Sequence, residues 1–299
     1  MALLLVPGQK SAEMTPRVLV IGGNATISRM TTKLMLAKSW HVVSVIRDEH
    51  QADEITKLAH DQPGNVEILV QDLSTMQGVE DATRILVKTK PDFLFYAAGT
   101  SLIRGTSRDT CILTMPLHLG SVSNPYAVDR DGAKFYMKVA AAEDSSVRKF
   151  LFISFPASRS ARAPWWSEEQ YRQHLSEKSS FPHVQAARLE ADEYLVALAH
   201  SRALRGGSPF QAISLRPTWL TDSPGAGKVQ FGKAGAVGNV AREDVAHVAI
   251  ALLSRDDTGG WYDLFQGDTP IQEAVDAVVK SGIDAVDGED LGRIYRLVA

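Results

Sequence analysis

Val18 to Met30 reads VLVIGGNATISRM, a run of β-branched residues that ends in two glycines and passes at once into a segment of helical period. Glycine is the residue that turns a chain this sharply, so the first unit is strand, tight turn, helix. The unit then repeats. Strands are predicted over 17–21, 41–46, 66–70 and 92–96, with helices over 26–38, 51–60 and 76–88 between them. Short apolar strands alternating with amphipathic helices imply a parallel sheet covered on both faces. Right-handed crossovers make that sheet doubly wound. Ligands of such sheets lie beyond the carboxyl ends of the strands, and Gly22, Arg47, Asp72 and Gly99 each fall at one.

The chain has 299 residues, room for one large α/β domain or two modest ones. Its net charge of -3, without a basic run, does not fit a nucleic-acid partner. One cysteine, Cys111, excludes an internal disulfide and a metal site built of several thiolates, and it reads as a buried, inert thiol in a reducing compartment. The first residues, MALLLVPGQKSAEM, carry an apolar run too short for a signal-peptide core and no basic residue before it. No segment approaches the ~20 apolar residues of a membrane helix. The expectation is a loose leader over 1–15, a single domain over 16–299, a cytoplasmic location, and a monomer or homodimer without metal.

Further along, an irregular segment over 100–124 precedes a helix over 129–143 and a strand over 150–154. SFPASRSARAPWWS reads as a second irregular piece. A helix over about 183–201, a strand over 210–215, a helix within VAREDVAHVAIALL, a strand over 261–265 and a closing helix from Ile271 complete the chain. Substrate-side or lid segments are expected at about 100–125, 156–182 and 217–240, the last within a small C-terminal substrate-side region.

The order of VLVIGG, SVIRD, VQDL, YAAG, VDRDGAKFY, KFLFIS, AARLEADEYL, SLRPTWLT and VAREDVAHVA resembles an atypical short-chain dehydrogenase/reductase of the NmrA-like kind, the NAD(P)-binding Rossmann proteins common in fungi. The resemblance covers most of the chain and implies a Rossmann-type sheet with a dinucleotide site. The family's phosphate turn is G-x-x-G-x-x-G or a close variant, and here Gly22, Ala25 and Ser28 hold those positions. Ala25 adds a methyl group where the diphosphate lies, whereas Ser28 is small enough for helix to meet strand. Asn24, Thr26 and Ile27 complete the turn, whose helix N-terminus attracts an anion. Arg47 either grips the 2′-phosphate of NADP(H) or is solvated and paired with Asp48 or Glu49. Asp72 and Leu73 resemble the pair that flanks the adenine, and Ala98 and Gly99 the wall beside the cofactor.

The family's Tyr-x-x-x-Lys is missing. In FPHVQAARLEADEYL the register places Val184 at the tyrosine and Arg188 at the lysine. Valine transfers no proton, and an arginine does not titrate near neutrality. Ser154 stands at the serine position, either bonding a substrate carbonyl or serving as an ordinary strand-end residue. His183 is the side chain beside the lost tyrosine suited to proton transfer, or else a solvent-facing residue at a helix start. Asp129 reads as an N-cap or a site carboxylate, and Arg130 as a surface residue or a ligand for an anion or carbonyl. Trp165 and Trp166 place an indole in a pocket or pack on a neighbouring helix or subunit; Tyr126 and Trp219 join them as candidates for an apolar small-molecule substrate. The first reading is a non-redox enzyme of specialised metabolism, performing a cyclisation, isomerisation or dehydration. An NADP(H)-dependent reductase with a non-standard proton donor is the alternative, and an NADP(H)-sensing regulator the third.

Overall fold

The computed structural model describes residues 15–99 and 124–298. In chain order the elements are β1 (Arg17–Ile21), α1 (Thr26–Ala37), β2 (His41–Ile46), α2 (Ala52–Thr56), β3 (Asn65–Val70), α3 (Val79–Thr89), β4 (Phe93–Tyr96), α4 (Ala133–Ala140), β5 (Lys149–Ile153) and α5 (Glu168–Ser180). Then follow α6 (Pro182–Leu204), β6 (Gln211–Pro217), β7 (Trp219–Thr221), β8 (Lys228–Gly232), β9 (Asn239–Ala241), α7 (Arg242–Leu253), β10 (Gly260–Gln266), β11 (Thr269–Pro270), α8 (Ile271–Lys280) and α9 (Leu291–Tyr295).

The main sheet runs β11-β8-β10-β6-β5-β4-β1-β2-β3, and β7 pairs with β9 in a second, two-stranded sheet. Every pairing from β3 across to β10 is parallel, and β8 and β11 add an antiparallel edge. The chain therefore winds outward from β1 in both directions, as the alternation of elements requires. Its strands read as continuous apolar runs because both faces are covered. In β1, Val18 and Val20 join one core with residues of α1, α7 and α8, while Leu19 and Ile21 join the other with residues of α3, α4 and α6. The period of two along a strand gives this partition.

The crossing point of the winding lies between β1 and β4, where strand order reverses. Gly22, directly after β1, has φ +79°, and a Cβ added there would stand 2.7 Å from the Ala98 backbone after β4. Both the left-handed backbone and the close approach demand glycine. Gly22→Ala is expected to lose about 1–3 kcal/mol, read as a lower urea midpoint at unchanged m-value.

Three segments differ from the sequence expectation. The helix expected over 51–60 is one short helix between two 3-10 turns. That expected over 129–143 begins as a π-helical stretch, Tyr126–Gly132, before α4. The lid segment expected over 156–182, where the sequence predicts no helix, contains α5, whose only buried residues are His174 and Glu177. So polar a helix has no apolar stripe to detect, but its capping box is complete: Ser167 accepts from Gln170 N–H and Gln170 returns the bond.

Candidate functional site

The β1–α1 turn forms one end of the cleft. Gly23 N–H donates to Val45 O at 2.8 Å, and Ala25 N–H to Gly22 O at 3.0 Å. Ala25 is the N-cap of α1, has no side-chain capping bond, and is exposed; the first turn, which starts with Thr26 and Ile27, holds no acidic residue. An anion at this helix end meets no competing carboxylate from the turn itself. Asn24 Oδ1 is buried and has no partner among the described residues, an amide that can turn its oxygen or its nitrogen toward a ligand. Ser28 is fully buried, the small residue that the helix packing needs.

Arg47 and Asp72 follow neighbouring strands, joined by Gln71 N–H to Ile46 O at 2.8 Å. Among the described residues the Arg47 guanidinium makes no ion pair. Asp48 caps the next 3-10 turn through His50 N–H instead. Asp72 likewise caps a 3-10 turn, its Oδ1 accepting from Ser74 N–H at 2.9 Å and Ser74 Oγ at 2.7 Å. Leu73 packs into the core. The Gly22 cradle, the Asn24 amide, the helix end free of acid and the Arg47 cation together fit a phosphorylated dinucleotide.

Beside this turn, one residue after Ala98, Gly99 follows β4, and a Cβ there would lie 2.7 Å from Asp129 Oδ1 and 3.2 Å from Arg188 Nη2. Arg188 Nε pairs with Asp129 Oδ1 at 3.0 Å, with the carboxylate buried. Asp129 is thus no N-cap. It sits inside the π-helical stretch, a winding that often marks functional sites, and Tyr96 Oη fastens that stretch by donating to Val128 O at 2.6 Å. Burial and the nearby Asp129 push the Tyr96 hydroxyl well above the usual phenol range, so it stays a donor.

About one turn before Asp129 stands Tyr126, and five residues before Arg188 stands His183. Tyr126 Oη lies 3.2 Å from His183 Nδ1, with the rings edge to face at 6.0 Å. A phenol and an imidazole in contact form a pair able to pass a proton. Arg130, expected at an anion or carbonyl, lies instead with its guanidinium carbon 4.6 Å from the Tyr126 ring centroid and pairs with Asp131.

Ser154 does not present its hydroxyl to the cleft. It is buried and donates to Asp192 Oδ2 at 2.5 Å. Asp192 also accepts from Ser214 Oγ at 2.7 Å and from Arg216 Nη1 at 3.3 Å, and Arg216 Nε reaches Asp263 Oδ1 at 3.0 Å. Burial pushes both carboxyls up to about 6, against the lowering pull of Arg216. Sequence reasoning passed over this cluster. The signal was a lone charge inside each of two apolar strands, Arg216 in SLRPTWL and Asp263 in WYDLF, which stand opposite each other in register.

The two adjacent tryptophans are also structural. Both indole N–H groups donate to Ala234 O, at 2.8 Å from Trp165 and 3.0 Å from Trp166. Trp166 is buried 5.0 Å from the His174 ring, and burial pushes His174 down to about 4. They fasten the loop after β5 to the loop after β8. Trp219 packs against Phe155 and Phe181 and donates to Glu177 Oε2 at 3.1 Å. Most of the segment expected over 100–125, Cys111 included, and nearly all of the leader lie outside the described residues. Among the described residues no group of three or more His, Cys, Asp or Glu could hold a metal, and no helix is long and apolar enough to cross a membrane.

A family model described as NAD(P)H-binding matches residues 22–256. A UPF0659 protein of Schizosaccharomyces pombe is 26% identical over 267 residues, covering 88% of this chain and 95% of that one. An uncharacterized sugar epimerase of Bacillus subtilis, YhfK, is 28% identical over 149 residues, 50% of this chain and 58% of its own. Among solved structures, the oxidoreductase ylbE from Lactococcus lactis superposes with a TM-score of 0.61 at 17% identity, covering 88% of this chain and 97% of its own. ChuY, an anaerobillin reductase from Escherichia coli, gives 0.56 at 18%, covering 84% and 98%. These two likenesses concern the fold.

Proposed function

The chain belongs to the NAD(P)H-binding family, and from that premise we propose that it is an NADP(H)-dependent oxidoreductase whose proton donor is Tyr126, relayed by His183. The observation that carries the reading is the 3.2 Å contact between Tyr126 Oη and His183 Nδ1. It stands beside the position where the sequence has Val184 in place of the family's tyrosine. Gly22, Asn24, Thr26 and Ile27 would hold the diphosphate, and Arg47 would meet the 2′-phosphate that separates NADP from NAD.

Bound NADPH supplies a hydride. Tyr126 then gives its phenolic proton to the substrate oxygen or nitrogen that gains charge as a C=O or C=N bond is reduced, and His183 replaces that proton from solvent. The Asp129–Arg188 pair closes the floor of the cleft at Gly99, with the arginine oriented by the carboxylate. Arg188 donates hydrogen bonds and keeps its charge throughout, so it orients without exchanging protons.

A second reading, a non-redox isomerisation, cyclisation or dehydration in the same cleft, is favoured by one observation. The residue at the lysine position, Arg188, is tied to Asp129 and is not a mobile ammonium. Following NADPH absorbance with a panel of aldehydes, ortho-quinones and cyclic imines separates the two. The oxidoreductase reading expects consumption of one NADPH per substrate reduced; conversion of a substrate with no net change in NADPH supports the isomerase.

A further inference from the structure

Tyr126 is held from its ring face as well as at its hydroxyl. The guanidinium carbon of Arg130 lies 4.6 Å from the ring centroid, within the range of a cation–π contact. The guanidinium is itself clamped. Its Nε and Nη2 donate to the two oxygens of Asp131 at 2.7 and 3.1 Å, in bidentate geometry. Its Nη1 lies 3.6 Å from Glu190 Oε2, which also accepts from Lys134 Nζ at 3.1 Å. Two carboxylates, one of them shared with Lys134, thus hold one guanidinium, and its carbon lies over one ring. None of these contacts touches the cofactor turn.

We infer that Arg130 is a positioning residue for the proton donor: stacked on Tyr126 and braced by Asp131 and Glu190, it fixes the ring in the orientation that places Oη on His183. The inference rests on the reading of Tyr126 and His183 as the proton-transfer pair. Tyr126 opens a π-helical stretch and is part-exposed; among the described residues its side chain meets His183 at the hydroxyl and Arg130 at the ring face. A free ring would divide its time among staggered rotamers, of which one reaches His183. Arg130 and Lys134 together balance Asp131 and Glu190, and a lysine at 130 would keep that balance, so the flat guanidinium over the ring is what arginine in particular adds. Lysine, with a compact ammonium and no plane, does not reproduce it.

The test needs no substrate. In protein labelled with nitrogen-15 and carbon-13 at histidine, the His183 imidazole resonance is assigned by its loss in His183→Asn. Tyr126→Phe is expected to move that resonance, because it removes the hydroxyl from Nδ1. Arg130→Met, which keeps the aliphatic stem, is expected to move it most of the way to the Tyr126→Phe position, and Arg130→Lys nearly as far. In the Tyr126→Phe background Arg130→Met is expected to add no further movement. An Arg130→Met resonance at the wild-type position, with Tyr126→Phe shifted, overturns the inference and leaves the dyad standing. A resonance unmoved by Tyr126→Phe overturns both. Far-ultraviolet circular dichroism and unchanged NADPH affinity show that each variant is folded.

Discussion

Arg216→Met is expected to destabilise the protein by about 3–5 kcal/mol at neutral pH, the range found when one partner of a buried ion pair is removed. Arg216 is fully buried, as are Asp192 and Asp263 on either side of it. Its Nη2 also donates to Pro156 O at 2.8 Å and Ser158 O at 3.2 Å, which ties down the loop after β5. The indole of Trp261 lies against it, 4.2 Å from the guanidinium carbon. Methionine fills similar space but leaves two carboxyls and two carbonyls without their donor.

The loss carries a pH signature. Burial raises both carboxyls to about 6 in the folded protein even with Arg216 present, above the ordinary 3.8. The folded state therefore binds protons that the unfolded chain has released. Their contribution to stability is fully present below about 4 and is lost as pH rises through about 6. His174 runs the opposite way: pushed down to about 4, it favours the fold above its ordinary 6.5 and loses that contribution as pH falls toward 4. Taking wild type minus variant at each pH removes the parts of the His174 contribution that burial, Lys178 and Arg159 cause, and leaves only the part due to Arg216 itself, the last of its causes. Arg216→Met is expected to cost more at pH 8 than at pH 5, where protonated carboxyls no longer need the cation, and Asp192→Asn in the variant background is expected to recover part of the loss. Urea denaturation at the two pH values measures both; a cost independent of pH would show that the network is not held by charge.

Tyr126→Phe is expected to lower NADPH-dependent turnover by about 10²- to 10⁴-fold, the usual worth of a positioned general acid, while leaving NADPH affinity unchanged. The phenol bonds His183 and the ring meets Arg130, not Gly22 or Arg47, so its removal is expected to touch the reacting bond and not the dinucleotide anchors. His183→Asn is expected to be milder, because water can return the proton to Tyr126 more slowly. A Phe variant that turns over at the wild-type rate would place the proton source elsewhere. Equal losses in turnover and in NADPH affinity would mean that the residue supports the cofactor.

The parallel sheet was legible because its strands are uniform apolar runs and its helices periodic. β1, β2 and α1 begin and end within a residue of where the pattern puts them. The cofactor end of the cleft was legible too, because strand ends at the crossover are where such sheets bind ligands. The chemistry was less so. Arg188 falls at the lysine position and Asp129 reads as a cap or a site carboxylate, yet they meet across 59 residues of sequence, a pairing that no local period encodes. The π-helical stretch keeps the composition of an α-helix, so Tyr126 and Asp129 looked like the start of an ordinary one. The bonds of Trp165 and Trp166 to Ala234 O were not legible, because a backbone acceptor carries no side-chain signal at all. α5 was hidden by its polarity and betrayed by its cap.

The central claim is that this cleft still works as an NADP(H) site although its glycine turn carries Ala25 and its catalytic tyrosine and lysine are replaced. The direct measurement is titration of the purified protein with NADPH and NADH, followed by the fluorescence of the reduced nicotinamide. Saturable NADPH binding with a Kd on the order of micromolar is predicted, with NADH weaker. Arg47→Ala should reduce NADPH affinity about tenfold or more, the worth of a charge-assisted contact, and leave NADH unaffected. No binding of either cofactor at millimolar concentration would contradict the account.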